Sequence, residues 1–232
     1  MKRNNTATIG DPILRDDWVK YEPFIYPLGR KKKLTKPDAV LDSPFIDVLF
    51  KRCSHKSLTF CEIRRISELL FYCMRIHEIT NDITGTITSK RICPSAGARH
   101  PIDIFVSLPE KLNERKLFYY NPIDHSLNEL MLDKKNVITF LEDVNSTLFL
   151  NDAYLFWFSI QTEKTGSKYL NPESLYWRDA GCLLYAIQLI STYIGLSSCP
   201  IGTLASKSFQ NLFFSDKIQS GGGILIGNQL IV

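Results

Sequence analysis

The sequence has no CxxC pair, and its six cysteines, Cys53, Cys61, Cys73, Cys93, Cys182 and Cys199, are scattered along the chain. With four histidines and no His/Cys group at zinc-ligand spacing, no metal site is expected. Scattered thiols without a disulfide framework point to a reducing, cytoplasmic setting with free and mostly buried cysteines. No apolar run reaches the 18 residues of a membrane-spanning helix. Met1 to Asp11 is polar and lacks the apolar core of a secretory signal. No internal repeat is visible.

What is present is the composition of a globular enzyme: 232 residues, 44% apolar, 22% charged and 12% aromatic, with a formal net charge of +4. Much of that charge comes from Arg30, Lys31, Lys32, Lys33 and Lys36. The run has no apolar period and reads as a solvated loop. No aromatic-interleaved strand accompanies it, so nucleic acid is not the expected partner, and an acidic leader peptide suits the same surface.

Residues 1–42 read as an irregular segment with isolated aromatics, among them Trp18, Tyr21, Phe24 and Tyr26. Ser43-Pro44 reads as an N-cap and first-turn pair for a helix carrying Phe45, Ile46, Val48 and Leu49. A second helix is expected over 62–77, with Ile63, Ile66, Leu69, Leu70 and Cys73 at helical spacing. His77 would end it as a partner of the helix dipole, and a Thr-rich turn region would follow over 80–88. Strands are expected at 102–108 and 116–120, a short helix at 136–144, and a long helix at 173–194. The continuous apolar run 153–160 suits a strand buried on both faces, with Trp157 and Phe158 in the core. A last strand is expected at 224–226. Strands and helices mix without strict βαβ alternation, which favours an α+β class.

Four stretches could carry chemistry. In Arg52-Cys-Ser54-His-Lys56, alternate positions of an extended chain put Arg, Ser and Lys on one side, suited to a phosphate; a solvated basic turn is the commoner outcome for such a stretch alone. Pro94-Ser95-Ala-Gly97-Ala-Arg-His-Pro101 is neither a Walker loop nor GxGxxG. Its small residues let a flat ligand approach the backbone, yet it could equally be a tight connection. Lys168-Tyr169 follows the apolar strand; a lysine against an aromatic wall can be held neutral as a general base, with the tyrosine as relay or orienter. Gly195 reads as the C′ residue of the long helix, followed by a compact apolar loop through Pro200, Ile201 and Gly202. Outside these stretches, Cys182 and Cys199 read as packed small hydrophobes, and His125 as a turn residue bonded to backbone.

Together, in order and spacing, the four stretches resemble the nitroreductase-like flavoproteins. They are more closely similar to the streptolysin-associated (SagB-type) dehydrogenases, which oxidise azolines to azoles in ribosomal peptide natural products. The resemblance runs from about Val48 to Asn228, and Pro94 to Phe105 and Tyr119 to Leu127 are its most specific pieces. It implies a nitroreductase-like domain over 43–232, with a mostly antiparallel sheet flanked by helices, and a homodimer binding FMN. Arg52, Ser54 and Lys56 would anchor the cofactor; Pro94, Ser95 and Gly97 would lie along the isoalloxazine; Pro200, Ile201 and Gly202 would close its other side. Lys168 and Tyr169 match a pair that azoline-oxidising members use in proton removal. The implied reaction is a two-electron oxidation of thiazoline or oxazoline rings, with reduced flavin reoxidised by oxygen and a cyclodehydratase among the partners.

Two departures are visible. Arg99-His100 stands where the family more often has an apolar residue and a tyrosine. The chain also lacks the C-terminal basic residue that reaches the phosphate in many nitroreductases; Lys207 and Lys217 are candidates to replace it, but neither sits in a motif. The alternatives are an NAD(P)H-dependent nitro- or quinone reductase and a degenerate structural subunit of a peptide maturation complex.

Overall fold

The apolar run that predicted a doubly buried strand lies in the middle of a large antiparallel sheet. A computed structural model describes residues 9–38 and 43–230. In chain order the elements are β1 (Ile13–Leu14), β2 (Leu28–Lys33), α1 (Phe45–Lys51), β3 (Leu58–Thr59), α2 (Ile63–Met74), β4 (Ile76–Asn81), β5 (Ile87–Arg91), β6 (Ile102–Ser107), β7 (Leu117–Asn121) and β8 (Ser126–Leu130). They continue with α3 (Lys134–Thr147), β9 (Tyr154–Gln161), α4 (Thr162–Gly166), β10 (Tyr169–Leu170), α5 (Glu173–Tyr193), β11 (Ser197–Ile201), α6 (Ser206–Phe213) and β12 (Ile218–Gln229). The main sheet runs β11-β12-β9-β6-β7-β8-β2, every neighbouring pair antiparallel, and β3 adds to the end of β12. The α+β class holds.

Alternation along β9 builds two cores. Phe156, Phe158 and Ile160 join Ile104, Val106, Ile224 and Ile226 in a cluster with α2 and α5 residues, including Ile66, Leu70, Leu183 and Ile187. Leu155 and Trp157 join Phe105 and Leu225 in a second cluster with Phe140 and Leu141 of α3 and Phe209 of α6. Each of these large side chains is worth roughly 1.5–3 kcal/mol when fully buried, so a strand apolar on both faces anchors both layers. Trp157 donates its indole N–H to Ser220 Oγ at 2.9 Å. Opposite it stands Gly223, where a methyl would overlap the Trp157 ring and the Phe156 carbonyl.

Several local expectations need correction. The described part of the segment expected to be irregular contains β2, so the basic residues 30–33 form a strand, exposed throughout, paired with β8 at the sheet edge. The second helix ends at Met74, because Arg75 turns extended and Ile76 starts a hairpin. The register Ile79↔Ser89 and Thr80↔Thr88 pairs β-rich residues, and the turn at 82–86 is held by Asp82 Oδ1 accepting the N–H groups of Thr84 (2.8 Å) and Thr86 (3.0 Å). His77 therefore lies in β4 and caps no helix. The compact loop expected after Gly195 is strand β11. α5 itself ends as expected: Gly195 has φ +72° and its N–H reaches Thr192 O, while Leu196 N–H reaches Ser191 O, a Schellman closure.

The N-terminal chain is strapped to this body. Tyr26 Oη bonds Asp103 Oδ2 at 2.9 Å, Tyr21 Oη bonds Gln161 Oε1, and β1 pairs with β10. His125, with φ +51°, is buried and bonds Tyr120 Oη at 2.8 Å and Ser67 Oγ at 3.0 Å as well as the Thr35 carbonyl.

Candidate functional site

The loop Pro94–Pro101 links the hairpin to β6 and bends sharply. Gly97, Ala98 and His100 have φ of +59°, +57° and +46°. Glycine adopts this region freely, whereas Ala98 and His100 occupy it at a cost of about 1–2 kcal/mol each. Hydrogen bonds hold the bend. Ser95 Oγ donates to Asp179 Oδ2 at 2.5 Å and accepts from His100 N–H at 2.8 Å, and Ala96 N–H reaches Asp179 Oδ1 at 3.3 Å. Asp179 lies on the buried side of α5; burial raises its carboxyl above the usual range, against the opposing pull of Ser95, the Ala96 N–H and Arg178. Ser95 is thus committed to the loop's own shape, and its backbone is what it can offer a ligand.

Lys168 and Tyr169 meet this loop from the other side. A Cβ on Gly97 would stand 2.9 Å from both Lys168 Nζ and Tyr169 Oη. Only a residue without a side chain lets the pair come so close to the backbone. Lys168 Nζ lies 4.2 Å from the centre of the Trp18 ring, a cation–π contact, and the Arg99 guanidinium lies 5.6 Å from the same ring. Burial, followed by repulsion from Arg99, lowers the Lys168 pKa, and Asp82 partly offsets this. Arg99 is 2% exposed, and its Nη1 is 2.6 Å from Asp82 Oδ2, a charge contact without hydrogen-bond alignment. Burial works against the Asp82 charge, but the hydrogen bonds from Thr84 and Thr86 and the charge contact with Arg99 prevail and hold its pKa down at about 2.

A second group lies alongside β11. Arg52 follows α1 directly, Ser54 forms a parallel bridge with Ser198, and His55 N–H donates to Ser198 O at 3.2 Å. Ser54 Oγ accepts from Gln188 Nε2 of α5 at 3.2 Å. The stretch 52–56 therefore runs beside the strand that ends in Pro200 and Ile201, and Gly202 has open space where a side chain would project. The side chains of Arg52 and Lys56 have no ion-pair or hydrogen-bond partner among the described residues. Two uncommitted cations and a hydroxyl in one extended stretch form a donor set that fits a phosphate.

The structure thus gathers Pro94, Ser95 and Gly97 with Lys168 and Tyr169, and Arg52, Ser54 and Lys56 with Pro200, Ile201 and Gly202. The residues that tie them down, Asp179 and Gln188, escaped the sequence reading. Asp179 had a signal: it is an acid on the apolar stripe of α5, beside Ala180 and Leu183. Trp18 had none, since Lys168 and Arg99 reach it from far along the chain, and Asp82 reads locally as a turn residue bonded to Thr84 and Thr86, with nothing to announce its contact with Arg99. Cys182 is exposed rather than packed, while Cys199 is buried. Lys217 faces Glu163 at 3.5 Å. Among the described residues no group of three or more His, Cys, Asp or Glu could hold a metal, and no helix is long and apolar enough to cross a membrane.

His100 gives the loop a pH signature. Its Nε2–H donates to Ser89 O at 2.8 Å, and burial, then Arg91, lower its pKa from 6.5 to about 4. Below pH 6.5 the unfolded chain takes a proton that the folded chain refuses, so this group's stability is lost as pH falls from 6.5 to about 4. With partial exposure the effect is roughly 1–3 kcal/mol. His100→Asn, which tolerates the same backbone, should lose less stability than the parent between pH 7 and 4.5 in urea unfolding. Equal losses would contradict a neutral, desolvated His100.

No protein-family model and no curated protein matches the sequence. Solved structures do. A putative nitroreductase from Ralstonia eutropha superposes with a TM-score of 0.66 at 17% identity, covering 92% of this chain and 99% of that one. The Escherichia coli microcin synthetase McbBCD complex, solved with a truncated pro-microcin bound, contains a chain matching at TM-score 0.57 and 15% identity, over 86% of this chain and 79% of that one. An FMN-dependent nitroreductase from Clostridium difficile matches at TM-score 0.51 and 17% identity, over 81% and 88%. At these identities the likeness establishes architecture, and the chain has the nitroreductase fold.

Proposed function

We propose that the chain is an FMN-dependent dehydrogenase that oxidises thiazoline or oxazoline rings of a ribosomally made peptide to thiazoles or oxazoles. The observation that carries this reading is the approach of Lys168 Nζ and Tyr169 Oη to the Gly97 backbone. It sets a base of lowered pKa and a phenol beside the loop expected to lie along a flavin. Likeness to a chain of a synthetase complex solved with its precursor peptide supports a peptide substrate and maturation partners; a cyclodehydratase is the partner that would make the azoline rings.

Arg52, Ser54 and Lys56 would hold the FMN phosphate; the backbone of Pro94, Ser95 and Gly97 would face one side of the ring, and Pro200 to Gly202 the other. FMN, when bound, supplies the hydride acceptor. Azole formation removes two hydrogens per ring, one as a hydride and one as a proton, and Lys168 takes the proton. Desolvation against Trp18 and repulsion from Arg99 favour the neutral amine needed for that role. Tyr169 orients the ring or relays the proton. The base works only when neutral, so the rate should rise with pH through a pKa below that of an ordinary lysine.

A homodimer belongs to the same reading. α1 packs beside α5 and leaves Phe45 and Phe50 64% and 84% exposed, with Ile46, Trp177 and Tyr185 also open. A second copy covering these side chains would remove an apolar surface otherwise costly in water. Light scattering at micromolar concentration should show a dimer; a stable flavin-loaded monomer would contradict it.

The catalytic assignment is tested with a cyclised peptide, by following the loss of two mass units per ring. Lys168→Ala should retain the fold and FMN but oxidise about 10²–10⁴-fold more slowly. Tyr169→Phe should cost less if the phenol only orients, and nearly as much if it relays. Full activity in Lys168→Ala would remove the reason for choosing the azoline reaction and leave an NAD(P)H-dependent nitro- or quinone reductase as the better reading.

A further inference from the structure

A separate cavity of about 450 Å³ opens between the strap at 20–23, the β4–β5 hairpin and the adjoining ends of β6, β7 and β9. Its inner wall is cationic: Arg91, Arg99 and Lys164 line it, with Lys20 at the exposed edge. Asp103 is the one carboxylate among the lining residues, and its Oδ2 already accepts from Tyr26 Oη and from Gln161 Nε2 at 2.5 Å. Asp82 contacts Arg99 but is not part of the wall. Pairing each carboxylate with one cation leaves two of the four positive charges, one of them the exposed Lys20, without a counter-charge.

The cations are also short of hydrogen bonds. Arg99 is almost fully buried, yet its Nε and Nη2 have no partner. Arg91 uses one donor, Nε, on Ser89 Oγ at 3.0 Å. The Lys164 ammonium has no hydrogen bond or ion pair among the described residues. Lys164 retains half-buried surface, although desolvation is strong enough to bring its pKa to about 8, ahead of the opposing pull of Asp103 and the repulsion of Arg91 and Arg99. Both observations agree with a side chain that faces the cavity instead of bulk water. Buried cations left uncompensated in this way are costly, and an anion among them removes the cost. The rim is of opposite character: Ile79, Ile87 and Ile123 are 52%, 66% and 73% exposed around the opening.

We infer that this cavity is a binding site for a small organic oxyanion, a carboxylate or phosphate on an apolar body. Arg91, Arg99 and Lys164 hold the oxyanion, and the isoleucine rim covers the body. Nothing in this assignment depends on the flavin reading.

Calorimetric titration with benzoate, phenyl phosphate, inorganic phosphate and neutral benzyl alcohol tests it. Benzoate or phenyl phosphate should bind saturably, and tighter than benzyl alcohol. Phenyl phosphate ahead of benzoate identifies a phosphate site, and the reverse order a carboxylate site. Lys164→Met should weaken benzoate binding tenfold or more, whereas Lys116→Met, at an exposed ion pair outside the cavity wall, should leave it unchanged. Without ligand, Lys164→Met should unfold at a temperature equal to or above the parent's, because it removes an unpaired, partly desolvated charge. Absence of saturable anion binding, benzoate binding unaffected by Lys164→Met or lost in Lys116→Met, or a lower unfolding temperature of unliganded Lys164→Met would each overturn the assignment.

Discussion

Two polar side chains on α5 set the geometry of the candidate site. A carboxylate and an amide on a helix packed against a sheet are costly unless bonded, and each finds its partner in a different loop. Asp179 fixes Ser95 and Ala96; Gln188 fixes Ser54. Nine residues separate them, about 13.5 Å of helix axis and half a turn in azimuth. One rigid helix, seated on the sheet through Leu183 and Ile187, thereby holds the Pro94–Pro101 loop on one flank and the Arg52–Lys56 stretch on the other.

Around the first of these loops the dominant electrostatic fact is an excess of positive charge. Arg91, Arg99, Lys164 and Lys168 lie close enough to influence one another, with Asp82 and Asp103 as the carboxylates among them. Crowded cations in a poorly solvated region push the lysines toward their neutral forms, since the guanidinium groups hold their charge far more strongly. Lys168 is the member that reaches the Gly97 backbone, with Trp18 beside it to exclude water. The same crowding leaves the adjoining cavity under-neutralised. The proposed role of Lys168 as a base and the inferred anion site would be two consequences of one arrangement.

Legibility in the sequence followed the range of the interactions. β9 and α5 were readable because periodicity and apolar content decide them locally, and both came within a residue of their expected ends. β2, β8 and β11 were not recognised as strands: β2 is an exposed edge held by its partner, and β11 is defined by pairing with the long β12. The helix expected to run to His77 stops early because Ile76 to Asn81 pairs with residues up to fifteen positions away, a tertiary preference that outweighs helical propensity. At the site, Gly97 and Lys168-Tyr169 were visible as motifs, and the structure adds their contact. The Trp18–Lys168–Arg99–Asp82 cluster joins residues separated by up to 150 positions, which no local pattern encodes.

FMN binding is the property on which the proposed function and its site stand. Titrating flavin-free protein into FMN and following the quenching of flavin fluorescence measures it directly. The expected result is saturation at one flavin per chain, with Arg52→Ala weakening binding about ten- to hundred-fold through loss of a charge-assisted phosphate contact. An absence of saturable quenching in the folded parent, or equal affinity in Arg52→Ala, would contradict it.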